Sequence, residues 1–361
     1  MPDPVPALRN FPVADFSQLA ATPSLWSSTV LADLTPAISN RDSARAFFDV
    51  CAHRRSAILD GGSQHDTLLQ CPYHGWKFDQ DGKCKSESLF PLNSFTVGGL
   101  KFVHAGPSQV DEDGLDDVRA VFEQFKWDDM KLGARRTYRL KSNWVYWTEN
   151  FLECYHCSLN HPQLCSVENH IAASANGDFD ALGRFYNEAA SDLLKLGGHL
   201  PTATDWDPDV KIPAFIDFNT LVKSHGSATQ SGAPVGPPIN QMDQHHHVFY
   251  YGAIGPFFHF SIYSDYMFIA NFHPSGPDET VVDCCWLTHM DAPADETALV
   301  WLWDETMLQD IELVERLHVG RSVELPGAPT FLDNEEQSEA FHDWIFQNGF
   351  SKVNDQPDMQ P

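Results

Sequence analysis

The sequence is poor in basic residues and has no long apolar run. Lysine and arginine total 23 against 50 aspartate and glutamate residues, which gives a formal net charge of −27. This balance argues against a nucleic-acid or anionic-membrane partner, because phosphate groups bind to basic surfaces. No stretch is apolar for the roughly 18 residues of a membrane span. The start at Met1–Pro4 lacks the basic and apolar regions of a signal peptide, so we expect a cytoplasmic protein.

The sequence also lacks the features of a disulfide-bonded framework. Eight cysteines in 361 residues, without a secretion signal, indicate reduced thiols and metal ligands rather than disulfides. A chain of this length is long enough for two domains. We place an N-terminal domain at residues 1–110 and a second domain at residues 111–361.

The N-terminal domain has the pattern of a small all-β unit. Short alternating or β-branched runs are separated by Asp-Gly and Gly-Gly turns. The predicted strands are 28–31, 37–38, 46–50, 57–59, 67–70, 76–78 and 102–104. An acidic stretch at 109–125 has apolar residues at helical spacing, which predicts a surface helix that links the two domains.

The second domain mixes helices with an antiparallel sheet. The predicted strands are 135–140, 247–251, 257–272 with an internal break, and 280–289. We expect one helix over 142–161 that ends before Pro162, a helix over 305–319 with Gly320 as C-cap, and a helix near 335–346. Residues 196–240 are rich in Gly, Pro, Ser and Asp, which predicts a long surface excursion that is either a lid or a plain connection. The predicted fold class is therefore α+β, with an all-β domain followed by an antiparallel sheet flanked by helices.

Two of the cysteines have the context of metal ligands. The segment Cys51-Ala52-His53 is followed, after seventeen residues, by Cys71-Pro72-Tyr73-His74. Each half-site mixes one thiolate with one imidazole, which suits a [2Fe–2S] cluster that has Cys51 and Cys71 on one iron and His53 and His74 on the other. Two cysteines and two histidines also suit a tetrahedral zinc ion. Zinc sites, however, usually pair cysteine with cysteine and histidine with histidine, so this spacing favours the cluster.

These residues resemble the Rieske domain of the Rieske non-haem iron, or ring-hydroxylating, oxygenase family. Two departures are visible in this chain. The part before the first cysteine is shorter than is usual in the family, and Asp49 stands where members often have asparagine. The resemblance implies an N-terminal Rieske [2Fe–2S] domain and a C-terminal domain with a mononuclear non-haem iron.

A second cluster of chemistry-bearing residues lies in the segment 143–162. Oxygen-activating Fe(II) is typically held by two histidines and one carboxylate. His156 and His161 could supply the pair if the helix unwinds or tightens near 158–160; ordinary helix histidines are the alternative. The spacing would also place Glu153 and His156 on one helix face, so that the carboxylate can accept a ring N–H of the histidine. Asn150 lies one turn earlier and is expected to face the metal.

The resemblance extends these assignments. It implies that Glu153 links the iron site to the cluster of a neighbouring subunit. It also implies that the third iron ligand is an aspartate about ten residues before a glycine, which Asp310 matches. Asp304 remains an alternative ligand. Glu312 is expected to point elsewhere, and Glu315 with Arg316 to form surface charge.

The expected reaction is a monooxygenation. With Glu rather than Asp at position 153, the segment 149–157 resembles that of the subgroup that acts on choline, carnitine and glycine betaine. The aromatic residues of 249–268 suit a quaternary ammonium group. The resemblance implies a homotrimer, O₂ as co-substrate, and an NAD(P)H-dependent flavin and iron–sulfur reductase as partner. An oxygenase for aromatic substrates is the alternative within the family, and a Rieske electron-transfer protein without oxygenase activity is the alternative outside it.

Three other features are expected to be structural. Consecutive residues His245–His247 point to alternate sides of a strand, which makes a shared metal difficult. Cys284 and Cys285 are expected to be core thiols on opposite faces of a strand. The Cys154/Cys157 pair is expected to pack beside the iron.

Overall fold

The computed structural model describes most of the chain. It covers residues 8, 13–15, 26–31, 36–41, 43, 45–85, 87–106, 113–202, 205–207, 209, 212–321, 323, 330–332 and 335–347. The predicted domain boundary at 110/111 lies outside these residues and stays a prediction. Within the described part, no helix is both apolar enough and long enough to cross a bilayer.

The N-terminal part forms one main antiparallel sheet and two short hairpins. Its strands are β1 Val13–Ala14, β2 Trp26–Val30, β3 Pro36–Asn40, β4 Ala46–Phe48, β5 Ser63–Gln64, β6 Leu69–Gln70, β7 Lys77–Phe78, β8 Lys83–Cys84, β9 Glu87–Ser88, β10 Pro91–Val97 and β11 Leu100–His104. The main sheet has the order β1-β11-β10-β4-β3-β2-β5, while β6 pairs with β7 and β8 with β9. The all-β prediction is confirmed.

The strand predicted at 57–59 is wrong. The backbone N–H groups of Ile58 and Leu59 donate to Asp49 Oδ1 at 2.8 and 3.1 Å, and that of Asp60 donates to Oδ2 at 2.8 Å. Because the buried Asp49 carboxylate takes these donors, the segment forms a turn instead of joining the sheet.

The C-terminal part is built on a six-stranded antiparallel sheet. Its strands are β12 Met130–Leu140, β13 Ala214–Thr220, β14 Val248–Ile254, β15 Phe258–Ile262, β16 Tyr266–Gly276 and β17 Glu279–His289. Strands β13 to β17 form a meander and β12 pairs with β17, which gives the order β12-β17-β16-β15-β14-β13. The four predicted strands are confirmed. The expectation of a surface excursion over 196–240 is wrong for β13, which is a largely buried strand.

The helices lie around this sheet. They are α1 Asp116–Phe122, α2 Trp144–Phe151, α3 Cys157–Asn160, α4 Pro162–Val167, α5 His170–Ala175, α6 Phe179–Leu196, α7 Glu296–Arg321 and α8 Glu336–Gln347. The helices predicted near 305–319 and 335–346 are confirmed as parts of α7 and α8, and α1 confirms the centre of the one predicted over 109–125. Gly320 is inside α7 rather than at its C-cap, because the helix continues to Arg321.

The single helix predicted over 142–161 is also wrong. It is divided into α2 and α3 by a break at 152–156, and α4 begins at Pro162. The Glu153 carboxylate accepts the backbone N–H groups of Tyr155 and His156. A side chain that binds these N–H groups replaces the helical carbonyl acceptors, so α2 ends and α3 begins in a new direction.

The two faces of the C-terminal sheet have different partners. Tyr250, Phe258 and Phe260 face the N-terminal sheet and α1, where the rings of Phe102 and Phe258, and of Phe122 and Phe260, meet edge to face at 5.0 Å. The alternate residues Phe249, Tyr251 and Phe268 face the helices on the other side and line a cavity. The alternation of the strands thus divides the aromatic residues between core and cavity.

Candidate metal centres and cavity

The two Cys/His segments form loops with the same backbone pattern. In the first, Cys51 N–H donates to the Ser56 carbonyl at 2.8 Å and Arg55 N–H to the Cys51 carbonyl at 3.0 Å. In the second, Cys71 N–H donates to the Trp76 carbonyl at 2.8 Å and Gly75 N–H to the Cys71 carbonyl at 3.0 Å. The second loop connects β6 to β7, and the first follows β4. Each loop therefore holds its cysteine at the base of a tight turn.

Both turns need a residue in the left-handed region. Gly75 adopts φ 72°, which glycine accepts without a steric penalty. Arg55 adopts φ 61° in the first loop, where an arginine is strained. Its guanidinium lies 3.9 Å from the centre of the Phe90 ring, a cation–π contact that offsets part of this strain.

The four candidate cluster ligands converge in one place. Cys51 and Cys71 are buried, and burial together with the neighbouring Cys71 thiol raises the pKa of Cys51. The rings of His53 and His74 lie 4.8 Å apart at the exposed end of the loops, and Trp76 stacks on His53 at 4.7 Å. Two adjoining thiols below and two imidazoles above fit a cluster that places sulfur ligands inside and nitrogen ligands at the surface.

Three further candidate ligands meet where the helix is broken. His156 Nε2 lies 3.4 Å from Asp310 Oδ1, and His161 Nε2 lies 3.0 Å from the same oxygen. Ligands about 2.1 Å from a metal and at right angles to each other are separated by about 3 Å. Asp310 comes from α7, whereas the histidines flank α3. The arrangement fits two histidines and one carboxylate on one face of a metal.

The other nitrogen of each histidine is held by a neighbour. His156 Nδ1 pairs with the Glu153 carboxylate, and His161 Nδ1 lies 2.8 Å from Gln309 Oε1. Gln309 in turn donates its amide to Gln163 Oε1 at 2.9 Å, which fixes the oxygen of Gln309 towards the ring. Both rings thus keep Nε2 for the shared site, where the buried Nε2 of His161 lies beside Asp310.

The same contacts shift the protonation equilibria. Burial lowers the pKa of His156, but the hydrogen bonds to Asp310 and Glu153 outweigh it and raise the pKa to about 10. Burial favours the neutral form of Asp310, but both histidines counter it and lower its pKa to about 2. The three side chains share a proton-binding site, and a divalent cation can replace these protons.

The remaining candidates near this site have other roles. Asn150 Nδ2 donates to Asp310 Oδ1 at 2.8 Å, so Asn150 orients the carboxylate. Asp304 accepts the Tyr138 hydroxyl and is separate from the histidines. Glu312 forms an exposed ion pair with Arg316, and Glu315 accepts the backbone N–H of Lys141 at 2.7 Å.

A cavity of about 530 Å³ adjoins these ligands. Its walls come from the broken helical segment, α5, α6, the inner sheet face and α7. Glu168 and Asp217 add carboxylates to a lining that includes the aromatic rings of Phe249, Tyr251 and Phe268. Burial raises the pKa of Glu168 to about 7.

Four further residues of this region were not predicted from the sequence: Gln309, Glu168, His170 and Asp217. A signal existed for two of them, because Glu168 and His170 are titratable residues that follow the second histidine closely. Gln309 precedes the candidate ligand Asp310 directly. Asp217 lay in the segment that was interpreted as a surface excursion.

The features expected to be structural are placed as follows. His247 Nε2 lies 3.2 Å from Asp192 Oδ2. The other oxygen of this carboxylate, Oδ1, pairs with Lys195, so Asp192 already has a cationic partner. Cys284 and Cys285 are fully buried in the two different cores on either side of β17. All eight cysteines are free.

Family comparisons agree with both centres. A Rieske [2Fe–2S] domain matches residues 17–96, and the catalytic domain of the ring-hydroxylating alpha subunit matches residues 127–348. These two domains imply a Rieske cluster and a mononuclear iron.

The curated relatives include oxygenase subunits. The carnitine monooxygenase oxygenase subunit of Escherichia coli (strain K12) is 32% identical over 168 residues, which is 42% of this chain and 45% of that protein. The glycine betaine monooxygenase oxygenase subunit of Chromohalobacter salexigens is 25% identical over 347 residues, 87% of this chain and 74% of that protein. The chain thus spans less than half the length of the carnitine relatives it matches.

Solved structures share the fold. The quaternary ammonium Rieske monooxygenase CntA with an inhibitor superimposes with a TM-score of 0.67 at 19% identity, covering 96% of this chain and 90% of CntA. Naphthalene 1,2-dioxygenase from Rhodococcus sp. gives a TM-score of 0.59 at 16% identity, with 97% and 92% covered. Since the catalytic-domain match covers more than half of the residues and the Rieske match precedes it, this chain belongs to the ring-hydroxylating oxygenase alpha-subunit family.

Proposed function

We propose that this chain is the oxygenase component of a monooxygenase that hydroxylates a quaternary ammonium compound of the choline, carnitine or betaine type. The observation that carries the proposal is the convergence of His156, His161 and Asp310 beside a cavity lined by aromatic rings and carboxylates. Aromatic faces and carboxylates both attract a quaternary ammonium group. The names of the relatives support the same substrate class.

His156, His161 and Asp310 would hold the mononuclear iron, and Cys51, Cys71, His53 and His74 would hold the cluster. Bound iron would supply the activation of O₂, with electrons stored at the cluster. Glu153, Gln309 and Asn150 would position the ligands through the hydrogen bonds described above. The aromatic walls would exclude water and orient the substrate.

The reaction consumes one C–H bond, one O₂, two electrons and two protons, and it yields one C–OH group and one water. Hydroxylation of the carbon next to nitrogen leads to C–N cleavage, which gives an amine and an aldehyde. Hydroxylation of a carbon that already bears a hydroxyl gives an aldehyde hydrate. All these substrates therefore yield an aldehyde. The electrons would come from an NAD(P)H-dependent flavin and iron–sulfur reductase, which fits a cytoplasmic location.

We also propose a homotrimer in which the cluster of one subunit serves the iron of its neighbour. His53 and His74 are exposed at the end of the Rieske loops, together with the 57% exposed Tyr73. On the other side, Leu159 is 85% exposed close to Glu153 and His156 in the chain. Such exposed apolar groups suit contact surfaces. Glu153 would then connect the two centres.

Iron content tests the two-centre assignment. We expect about three iron atoms per subunit, two in the cluster and one in the mononuclear site. The variant Asp310→Ala should lose one iron and keep the visible spectrum of the cluster, while Glu312→Gln on the exposed face of the same helix should lose none. Two iron atoms in the unaltered protein would leave an electron-transfer protein and contradict the proposal.

Complementation tests the trimer. Cys71→Ser removes a cluster ligand and Asp310→Ala removes an iron ligand, so each variant alone should be inactive. Mixed oligomers that contain both variants should recover part of the activity if electrons cross between subunits. Inactive mixed oligomers would indicate transfer within one subunit.

A further inference from the structure

We infer that the substrate is a cation without a carboxylate group, held by Glu168 and Asp217 on the aromatic wall of the cavity. This inference rests on the proposed function and narrows it. It separates choline-like and other carboxylate-free ammonium compounds from carnitine and betaine, which carry a negative charge of their own.

Glu168 is fixed in place by the backbone around it. Asn169 N–H donates to the Thr220 carbonyl at 3.2 Å, and Val222 N–H donates to the Val167 carbonyl at 2.8 Å. These bonds join the end of α4 to the end of β13 and leave Glu168, 5% exposed, on the cavity wall. The Tyr263 hydroxyl donates to Glu168 Oε1 at 2.9 Å, while Oε2 lies 4.0 Å from His170 Nε2. The carboxylate is thus oriented but only partly compensated.

Asp217 is fixed by the sheet. It pairs in register with Tyr251 on the neighbouring strand, and the Tyr251 hydroxyl donates to Asp217 Oδ2 at 2.6 Å. The Tyr251 ring is nearly parallel to the His170 ring, with the ring centres 5.7 Å apart. His170 therefore lies next to both acid–tyrosine pairs.

The charge balance of this wall favours a cationic ligand. Burial is the main cause that raises the pKa of Glu168 to about 7 and also raises the pKa of Asp217. The attraction of His170 lowers both pKa values but does not offset the burial, so the two carboxylates can accept further positive charge. An ammonium group that binds against Phe249 and Tyr251 would supply this charge and gain the cation–π attraction.

The same wall disfavours a carboxylate on the substrate. Among the described residues that line the cavity there is no lysine or arginine, and five residues carry carboxylates: Glu153, Glu168, Asp217, Asp310 and Glu336. The Nδ1 atom of buried His170 has no hydrogen-bond partner in the described residues, which leaves one polar group for a substituent such as a hydroxyl. A carboxylate in that position would meet Glu168 and Asp217.

Binding of matched ligands tests the inference. Calorimetric titration of the complete iron-containing protein should compare choline, glycine betaine and the primary amide of glycine betaine. The amide has nearly the shape of glycine betaine but lacks its negative charge. We expect choline and the amide to bind about tenfold or more tightly than glycine betaine.

Two variants test the assigned residues. Glu168→Gln and Asp217→Asn keep an acceptor for the tyrosine hydroxyl and remove the charge. Each variant should weaken the binding of choline and of the amide about tenfold. The ratio of these affinities to the affinity for glycine betaine should therefore decrease. Glu312→Gln, an exposed change of the same kind, should alter no affinity. All four proteins should be folded at the temperature of the titration and should have the same visible spectrum of the cluster, which separates lost binding from lost folding.

The outcomes distinguish the inference from the proposed function. Tighter binding of glycine betaine than of its amide would overturn the inference and leave an ammonium oxygenase. The same discrimination in Glu168→Gln and Asp217→Asn as in the unaltered protein would overturn the role of these residues. Binding of an aromatic acid, with no binding of any ammonium compound, would overturn the proposed function itself.

Discussion

Replacement of Gln309 tests whether the residues around the proposed iron ligands hold those ligands in place. Gln309 Oε1 accepts the Nδ1–H of His161 at 2.8 Å, and this bond keeps Nε2 directed at Asp310. Gln309→Leu removes the acceptor and leaves the N–H of a ring that is 1% exposed without a partner. Loss of such an outer hydrogen bond typically lowers metal affinity about 10- to 100-fold, or by about 1.4 to 2.8 kcal/mol.

The assay is competition for iron with a chelator, with the absorbance of the cluster as an internal measure of folding. Gln309→Glu restores an acceptor and should bind iron at least as tightly as the unaltered protein. Gln163→Ala removes only the bond that orients Gln309, at 2.9 Å, and should have a smaller effect than Gln309→Leu. Unchanged iron affinity in Gln309→Leu would refute the assignment of His161 as an oriented ligand.

Three further predictions concern stability. Asp49→Asn places an amide donor against backbone donors of the turn after the first cluster loop. We expect the free energy of unfolding, measured with denaturant, to fall by about 1 to 3 kcal/mol. An unchanged free energy of unfolding would contradict the role of the Asp49 carboxylate in holding this turn. Arg55→Gly and Arg55→Ala both lose the contact with Phe90, so the difference between their free energies of unfolding isolates the strain at φ 61°. The glycine variant should be more stable by about 1 kcal/mol. Equal stabilities would argue against strain at this position. The pKa of His156 is raised to about 10, so protonated His156 contributes fully to the stability of the metal-free protein below the ordinary value of 6.5. This contribution disappears as the pH rises through about 10. Denaturation of chelator-treated protein across this range should show the loss of stability, and a stability that does not change with pH would contradict the prediction.

The two Cys/His loops were predictable from the sequence because their proposed cluster ligands are local. Each loop supplies one cysteine and one histidine within four residues, and the tight turns are closed by bonds inside the same loop. The proposed iron site is different, since its third candidate ligand, Asp310, comes from a distant helix. Its identification depended on resemblance to a known family rather than on the residues alone.

Two of the errors have a common physical cause, which is that side chains replaced backbone partners. Glu153 ends the helix that the sequence predicts over 142–161. Asp49 prevents the strand that the sequence predicts at 57–59. Neither effect is visible in hydrophobic periodicity, because it depends on where one carboxylate points. Strand β13 was missed for another reason, since its seven residues lie in a segment rich in turn-forming residues.

Glu168 and Asp217 show the limit of reasoning from spacing. They are 49 residues apart in sequence, and only the pairing of β13 with β14 and with the end of α4 brings them to one wall. Their partners Tyr263 and Tyr251 were recognised as aromatic residues of the sheet, but not as hydrogen-bond donors to buried carboxylates.

Product stoichiometry tests the central claim most directly. With reductase, NAD(P)H and choline, we expect one aldehyde formed for each O₂ and each NAD(P)H consumed, and no aldehyde from the Asp310→Ala variant. Consumption of O₂ without aldehyde from any quaternary ammonium compound would contradict the proposed oxygenase.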